Sequence, residues 1–170
     1  MVLVACLVSI IVYQRWEMTR PVRQRFISIG ESVKPIQIEG YDRKPLRVDW
    51  AANPKGTLLY VFAPNCKFCD QNIAAQKALL AAANGYKTLT ISLTRDGLND
   101  YLTRHDISGT VYVAQGGLKD LKVTVTPETI LIGPDAKVKR VWLGSYKGSR
   151  VRAEIEEFFK VKLPEQAGAE

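Results

Sequence analysis

The chain has 170 residues, and 24 Lys and Arg against 17 Asp and Glu give it a formal charge of +7 at pH 7. Its length suits one domain with a core and a short appendage, and its 46% apolar content is ordinary for a globular protein. Three cysteines are too few for a scaffold held together by disulfides. The basic residues form no dense run, which argues against a nucleic-acid-binding protein because such binding needs clustered phosphate contacts.

The first 16 residues form an apolar N-terminal segment. Residues 1–13 carry no charge, and Tyr13 and Trp16 would suit a membrane interface. As a helix, the apolar run would span roughly 20 Å, which is short of the ~30 Å hydrocarbon core of a bilayer. We interpret residues 1–16 as part of a transmembrane anchor, with a cleaved signal peptide and a lipidated Cys6 as the alternatives.

Residues 17–32 are predicted to be a linker between the membrane and the folded domain. Arginines are frequent in and just before this range, namely Arg15, Arg20, Arg23 and Arg25. By the positive-inside rule, arginines that follow an anchor favour a cytoplasmic position for the rest of the chain.

Apolar patterns predict an α/β domain over residues 33–163, followed by a polar tail over residues 164–170. A hairpin is predicted first, and then a strand whose continuous apolar run is typical of burial on both faces of a sheet. In chain order the predicted ranges are the hairpin 33–50, strand 57–63, helix 70–83, strand 86–93, helix 96–105, strands 110–115, 128–132 and 137–143, and helix 149–161. Residues 118–123 have no clear pattern. This order predicts a mixed central sheet with helices on both faces and an extra N-terminal β-hairpin.

Cys66 and Cys69 follow the buried strand and precede the next helix. A spacer of two residues lets both thiols meet in a first helical turn, where unpaired N–H groups and the helix dipole stabilise a thiolate. Lys67 adds a positive charge that acts in the same direction. Such a pair can perform thiol–disulfide exchange, in which Cys66 attacks a partner disulfide and Cys69 resolves the mixed disulfide.

Other functions of a cysteine pair remain as alternatives. Zinc commonly needs four ligands, and the chain offers beyond this pair only Cys6 and one histidine, His105, which we expect to be a polar residue at a helix end. A copper-delivery module, a peroxiredoxin-type peroxidase and a redox-inert tethered domain are the remaining alternatives. The leading interpretation requires no metal and no cofactor beyond the two thiols.

A second signal is Pro127, directly before the predicted strand 128–132. Proline removes a hydrogen-bond donor from a strand, so its position needs a reason, and a cis peptide bond after Thr126 would be one. Together with the cysteine pair at a strand-to-helix turn, this proline is a more specific signal than either feature alone.

Over residues 33–161 the chain resembles the membrane-anchored thioredoxin-like proteins of bacteria, in the redoxin branch that includes the cytochrome-maturation reductases. The matching motifs are Ala-Pro-Asn-Cys-Lys-Phe-Cys at 63–69, Thr-Pro-Glu-Thr at 126–129 and Gly-Pro-Asp-Ala-Lys at 133–137. The resemblance implies a thioredoxin-like fold and a Cys66–Cys69 pair that cycles between dithiol and disulfide.

The same resemblance implies a cis Pro127 beside the cysteines and a Thr126 backbone that pairs with substrate peptide. It also implies protein thiols and disulfides as partners, and a domain that faces the periplasm from a bacterial inner membrane. On this last point it opposes the arginine pattern, and we follow the resemblance.

The chain departs from thioredoxins proper at positions near the pair. Tyr60 stands where they carry a buried acid, Asn65 stands where tryptophan is common, and Ala74 replaces a helix proline. Proton transfer to Cys69 must therefore use another group or water. These departures favour a specialised partner, for which Phe68 would supply an apolar contact. We expect a monomeric, membrane-tethered thiol–disulfide oxidoreductase that acts as a reductant of exported protein disulfides.

Overall fold

The structure is a computed structural model that describes residues 26–116 and 118–165. The predicted anchor over residues 1–16 lies outside the described residues, as does Cys6. Within the described ranges, no helix is both long and apolar enough to cross a membrane. In the range predicted to be a linker, the side chain of Ile27 is buried, and the Gly30 N–H donates to the Val138 carbonyl at 2.8 Å.

Seven strands of the described chain form one mixed sheet. In chain order they are β1 (Gln37–Glu39), β2 (Pro45–Arg47), β3 (Thr57–Phe62), β4 (Lys87–Ser92), β5 (Val111–Ala114), β6 (Glu128–Ile132) and β7 (Val138–Leu143). Across the sheet the order is β2-β1-β5-β4-β3-β6-β7. The three central strands β3, β4 and β5 are parallel, and the β1–β2 and β6–β7 hairpins extend the sheet at its two ends by antiparallel pairing.

The three α-helices of the described residues pack on one face of this sheet. They are α1 (Lys67–Ala82), α2 (Leu98–Arg104) and α3 (Ser149–Phe159). The first core lies between them and the sheet, and its buried side chains include Tyr60, Phe62, Leu79, Tyr101 and Ile155.

The opposite face of the sheet is covered by shorter pieces. Two 3₁₀ helices, Trp50–Ala52 and Lys119–Leu121, pack there together with the segment before β1. The second core lies under them, and its buried side chains include Val33, Trp50, Leu59, Val61 and Leu121. Both faces are therefore covered, as the sequence predicts, with the three described α-helices on one face and the two 3₁₀ helices on the other.

β3 is the strand from which the cysteine turn emerges. All six of its residues are buried, because β4 and β6 flank it and a core lies on each face. The predicted burial of this strand on both faces is confirmed. α1 begins at Lys67, three residues earlier than predicted, because Cys66 caps the helix with its own side chain. The segment without a clear pattern contains the short 3₁₀ helix Lys119–Leu121.

Candidate active site

Cys66 is the N-cap of α1, at the point where β3 gives way to the helix. Its backbone is extended, with φ −98° and ψ 107°, and its Sγ accepts a hydrogen bond from the Cys69 N–H at 3.1 Å. Its carbonyl accepts from the N–H groups of Cys69 at 2.9 Å and Asp70 at 3.1 Å. The sulfur of Cys66 therefore lies beside the N–H groups of the first helical turn, where negative charge is stabilised.

The two thiols differ in their access to solvent. Both are free, and Cys66 is half-buried whereas Cys69 is fully buried. Burial, and to a smaller extent the hydrogen bond with Cys66, raises the pKa of the Cys69 thiol to about 12. The site thus has one accessible thiol and one covered thiol, which is the arrangement that exchange through a mixed disulfide requires.

The segment Thr126–Pro127 approaches the cysteine turn from the far part of the chain. Its peptide bond is cis, as the resemblance implies. The Cys66 thiol donates to the Thr126 carbonyl at 3.3 Å, and the Pro127 carbonyl accepts from the Gly144 N–H at 2.8 Å. The fold therefore brings together the two motifs that the sequence analysis singled out.

An apolar groove of about 540 Å³ lies beside this contact. Its lining includes the side chains of Phe26, Phe68, Val125 and Leu143. Phe68 lies between the two cysteines in the sequence, and its side chain is 61% exposed. Lys67, the first residue of α1, is also exposed. The accessible sulfur therefore lies next to an apolar surface.

Tyr60 lies beneath the cysteines in a buried polar network. Its Oη accepts from the Asn72 Nδ2 at 3.4 Å, and the Asn72 Oδ1 accepts from the Tyr146 N–H at 2.9 Å. The hydroxyl of Tyr146 is hydrogen-bonded in turn to that of Thr129. Burial raises the pKa of Tyr60 well above its ordinary value, so this position holds a neutral phenol rather than a carboxylate.

Three solved structures illustrate what this architecture is similar to. The thioredoxin domain of a thiol-disulfide oxidoreductase from Bacteroides vulgatus is 15% identical, with a TM-score of 0.60, and the match covers 78% of this chain and 99% of that chain. A candidate thiol:disulfide interchange protein DsbE from Chlorobium tepidum is 16% identical, with a TM-score of 0.62 and coverage of 79% and 97%. A secreted Mycobacterium tuberculosis disulfide oxidoreductase, homologous to E. coli DsbE, is 13% identical, with a TM-score of 0.57 and coverage of 72% and 96%. The fold is thioredoxin-like.

Sequence comparison adds no further relative. No protein-family model matches the chain, and no curated protein sequence matches it. Within residues 26–116 and 118–165, no group of three or more His, Cys, Asp and Glu side chains is placed to hold a metal ion.

Two side chains near the cysteine pair, Tyr101 and His105, come from α2 and its C-terminal end. Sequence reasoning did not connect them with the pair. Tyr101 is buried in the first core together with Cys69, and its ring stacks on that of Phe62 with centroids 4.9 Å apart. His105 lies at the C-cap of the same helix, as expected, and its Nε2 is 2.8 Å from the Oδ1 of Asp70. Asp70 directly follows Cys69, so α2 delivers an imidazole to the first turn of α1. The sequence carries no local signal for this contact.

Glu128 is a buried acid that the sequence analysis used only as part of a motif. It follows Pro127 and has no exposed surface, and neither carboxyl oxygen has a hydrogen-bond partner among the described residues. It pairs with Val61, whose side chain is in the second core, so the carboxyl lies on the sheet face opposite α1. Burial raises its pKa to about 7. A single acid inside an apolar strand is the signal that could have revealed it.

Replacing Glu128 by glutamine should change how stability depends on pH. In the folded chain the pKa is raised from 4.5 to about 7, so the folded state holds the proton more tightly than the unfolded state does. Stability is therefore lost as pH rises from 4.5 to 7, by about 3 kcal/mol in all, and stays at the lower level above pH 7. Glu128→Gln has no titrating proton at this position. Between pH 4.5 and pH 8 its free energy of unfolding, measured with urea, should therefore fall by about 3 kcal/mol less than that of the wild type.

The matched control is Glu157→Gln, which makes the same chemical change at an exposed position of α3. This variant should keep the pH dependence of the wild type. A Glu128→Gln protein whose unfolding free energy follows the wild-type curve at both pH values would contradict the assignment of a buried, unpaired carboxyl.

Proposed function

We propose that the chain is a membrane-tethered thiol–disulfide oxidoreductase that exchanges its Cys66–Cys69 pair with protein partners and acts as a reductant. The observation that carries the proposal is the placement of the Cys66 sulfur. It is accessible, caps α1, and lies 3.3 Å from the Thr126 carbonyl, while Cys69 is covered behind it. Structures with this thioredoxin-like fold include a thiol-disulfide oxidoreductase domain and a secreted disulfide oxidoreductase.

The geometry supports an exchange in two steps. In the first, the Cys66 thiolate attacks one sulfur of the partner disulfide, and the other partner sulfur leaves as a thiolate. In the second, the Cys69 thiolate attacks the Cys66 Sγ, the bond between Cys66 and the partner breaks, and the partner is released as a dithiol. The Cys69 N–H, 3.1 Å from the Cys66 Sγ, stabilises negative charge on that sulfur before the first step.

The burial of Cys69 supports the reducing direction. A neutral disulfide loses little when it is buried, whereas a buried thiolate loses its solvation, and here burial raises the pKa of Cys69 to about 12. Because the buried Cys69 is not stabilised as a thiolate, the reduced pair gains no stability from that sulfur and gives up its electrons more readily. Strong oxidants of this fold have the opposite property, a stabilised reduced form.

Equilibration with glutathione tests both the activity and its direction. The reduced protein is incubated at a series of ratios of reduced to oxidised glutathione, its remaining thiols are alkylated, and the products are weighed. We expect a Cys66–Cys69 disulfide whose midpoint is nearer to the thioredoxin value of about −270 mV than to the DsbA value of about −120 mV. Cys69→Ser is the control and should form no intramolecular disulfide. Absence of the disulfide from the wild type at every ratio would refute the proposed function.

The apolar groove supports partners that present apolar side chains next to their cysteines. Phe68, Val125 and Leu143 are exposed on it at 61%, 37% and 37%. An extended peptide whose sulfur is bound to Cys66 would lie along the Thr126 backbone and cover these side chains. Burying apolar surface contributes about 25 cal/mol per Å², so such contacts would distinguish between partners.

A trapping variant tests this partner preference. In a Cys69→Ser background the mixed disulfide cannot be resolved, so its rate of formation can be measured for two peptides, one with Phe or Leu and one with Ser beside a glutathione-blocked cysteine. Phe68→Ser should reduce the rate ratio between the two peptides about tenfold, which corresponds to ~1.4 kcal/mol of lost apolar contact. Leu46→Ser, at an exposed apolar residue of β2, is the control and should leave the ratio unchanged. An unchanged ratio in Phe68→Ser would contradict docking in the groove.

The proposed location is the periplasmic side of a bacterial inner membrane. It is supported by the apolar segment over residues 1–16 and by the oxidising chemistry of that compartment, where disulfides that need reduction occur. One protein with a similar structure is secreted.

Fusion of alkaline phosphatase after Glu170 tests this location in a bacterial host. Alkaline phosphatase requires an oxidising compartment, so a periplasmic fusion should be active. Because the chain is proposed to be membrane-tethered, the fusion should also sediment with membranes. A fusion of green fluorescent protein at the same position is the complementary control and should be dark if exported in unfolded form. An inactive phosphatase fusion together with a fluorescent green fluorescent protein fusion would overturn the periplasmic assignment.

A further inference from the structure

β7 is the last strand at one end of the sheet, so only one of its two sides pairs with β6. The Gly144 N–H donates to the Pro127 carbonyl at 2.8 Å, which marks these two residues as a hydrogen-bonded pair that continues the β6–β7 ladder. Hydrogen-bonded and non-hydrogen-bonded pairs alternate along antiparallel strands. The backbone N–H and carbonyl groups of Leu143 and Val141 therefore point away from β6.

The first half of this outer edge is already occupied. The Val138 N–H donates to the Glu31 carbonyl at 2.9 Å, and the Val138 carbonyl accepts from the Gly30 N–H at 2.8 Å. The outward N–H and carbonyl groups of Val141 and Leu143 have no such partner among the described residues. A sheet edge with open backbone groups is a template on which a further strand can form.

The open half of the edge is continuous with the groove beside the reactive sulfur. Leu143 lines that groove together with Phe68 and Thr126, and its side chain is exposed. The Thr126 carbonyl is in turn 3.3 Å from the Cys66 Sγ. An extended chain covers about 3.3 Å per residue, so a few residues would take a partner from Cys66 across the groove to the edge of β7.

The two faces of β7 differ in the side chains that they would offer to an added strand. Val141 and Leu143 lie on one face, and Arg140 and Trp142 lie on the other. Arg140 is exposed, its guanidinium lies 5.4 Å from the centre of the Phe158 ring, and it forms no ion pair with another described residue. Side chains of an added strand would alternate in the same way, with apolar residues beside the valine and the leucine and an acidic residue beside the arginine.

We propose that the partner segment next to the attacked cysteine binds as an extended strand along the outer edge of β7. The inference deepens the proposed exchange function and rests on it. The partner strand exchanges backbone hydrogen bonds with Val141 and Leu143 while its sulfur lies at Cys66. These hydrogen bonds form with any sequence, whereas the alternation of apolar and acidic side chains selects among partners.

Hydrogen exchange of single amides, measured by NMR, tests the added strand. Cys69→Ser protein is trapped as a mixed disulfide with a peptide that alternates valine and glutamate on both sides of one cysteine. The amides of Val141 and Leu143 should then exchange about tenfold or more slowly than in the free protein. The amide of Arg47, on the opposite edge strand β2, is the internal control and should be unchanged. Trapping with glutathione, which is too short to lie along β7, should leave all three amides unchanged.

A charge reversal at Arg140 tests the side-chain pattern. In the Cys69→Ser background, the rate of mixed-disulfide formation is measured for the valine–glutamate peptide and for a peptide with lysine in place of glutamate. Arg140→Glu should lower the ratio of the first rate to the second about tenfold, because attraction across the strand pair becomes repulsion. Arg47→Glu makes the same change at an exposed arginine of β2 and should keep the original ratio.

The added strand is refuted if the trapped peptide leaves the amides of Val141 and Leu143 unprotected, or if Arg140→Glu behaves as Arg47→Glu does. Protection of both amides already in the free protein would show that another segment or a second copy of the chain covers the edge, and would refute it as well. Failure of the exchange function is seen separately, since mass spectrometry would then find no mixed disulfide with either peptide.

Discussion

The side-chain amide of Asn72 is fully buried in α1 and joins three parts of the fold. Its Nδ2 donates to the hydroxyl of Tyr60 on β3, and its Oδ1 accepts the backbone N–H of Tyr146 ahead of α3. Leaving one of these buried groups unpaired would cost roughly 1–3 kcal/mol. The amide therefore fixes the depth and rotation of α1 over the sheet. The position of the helix N-terminus follows from this, and with it the contact of Cys66 with the Thr126 carbonyl.

The elements around the cysteine pair could be predicted because their signals are local. An unbroken apolar run predicts β3 as buried on both faces. Alternation predicts the first hairpin, and the turn Gly-Pro-Asp-Ala predicts the second. The sequence pattern predicts a start of α1 at residue 70, whereas the helix begins at Lys67. The reason is that the N-cap is the sulfur of Cys66 rather than one of the usual oxygen-bearing side chains. The contact between Thr126 and Cys66 can be predicted only from the family resemblance. The two residues are 60 positions apart, and no local sequence pattern indicates a contact over such a separation.

Side-chain surroundings were the part that the sequence could not supply. Tyr101 and His105 lie in a helix that was predicted, yet nothing local indicates that this helix reaches the first turn of α1. Glu128 was visible as part of a motif, but its chemistry depends on strand register. Pairing with Val61 turns its carboxyl towards the second core, away from the cysteines. Asp70, which directly follows Cys69, and Glu128, which directly follows Pro127, thus lie in different environments. Asp70 is paired with an imidazole, whereas Glu128 has no hydrogen-bond partner among the described residues.

Phe26 is the first described residue, and it lies in the lining of the groove beside Cys66. The next residue, Ile27, is buried, so the chain enters the domain at the rim of its reactive surface. The groove beside Cys66 therefore depends on how the first described residues dock onto the domain, and not only on the cysteine turn and the Thr126 segment.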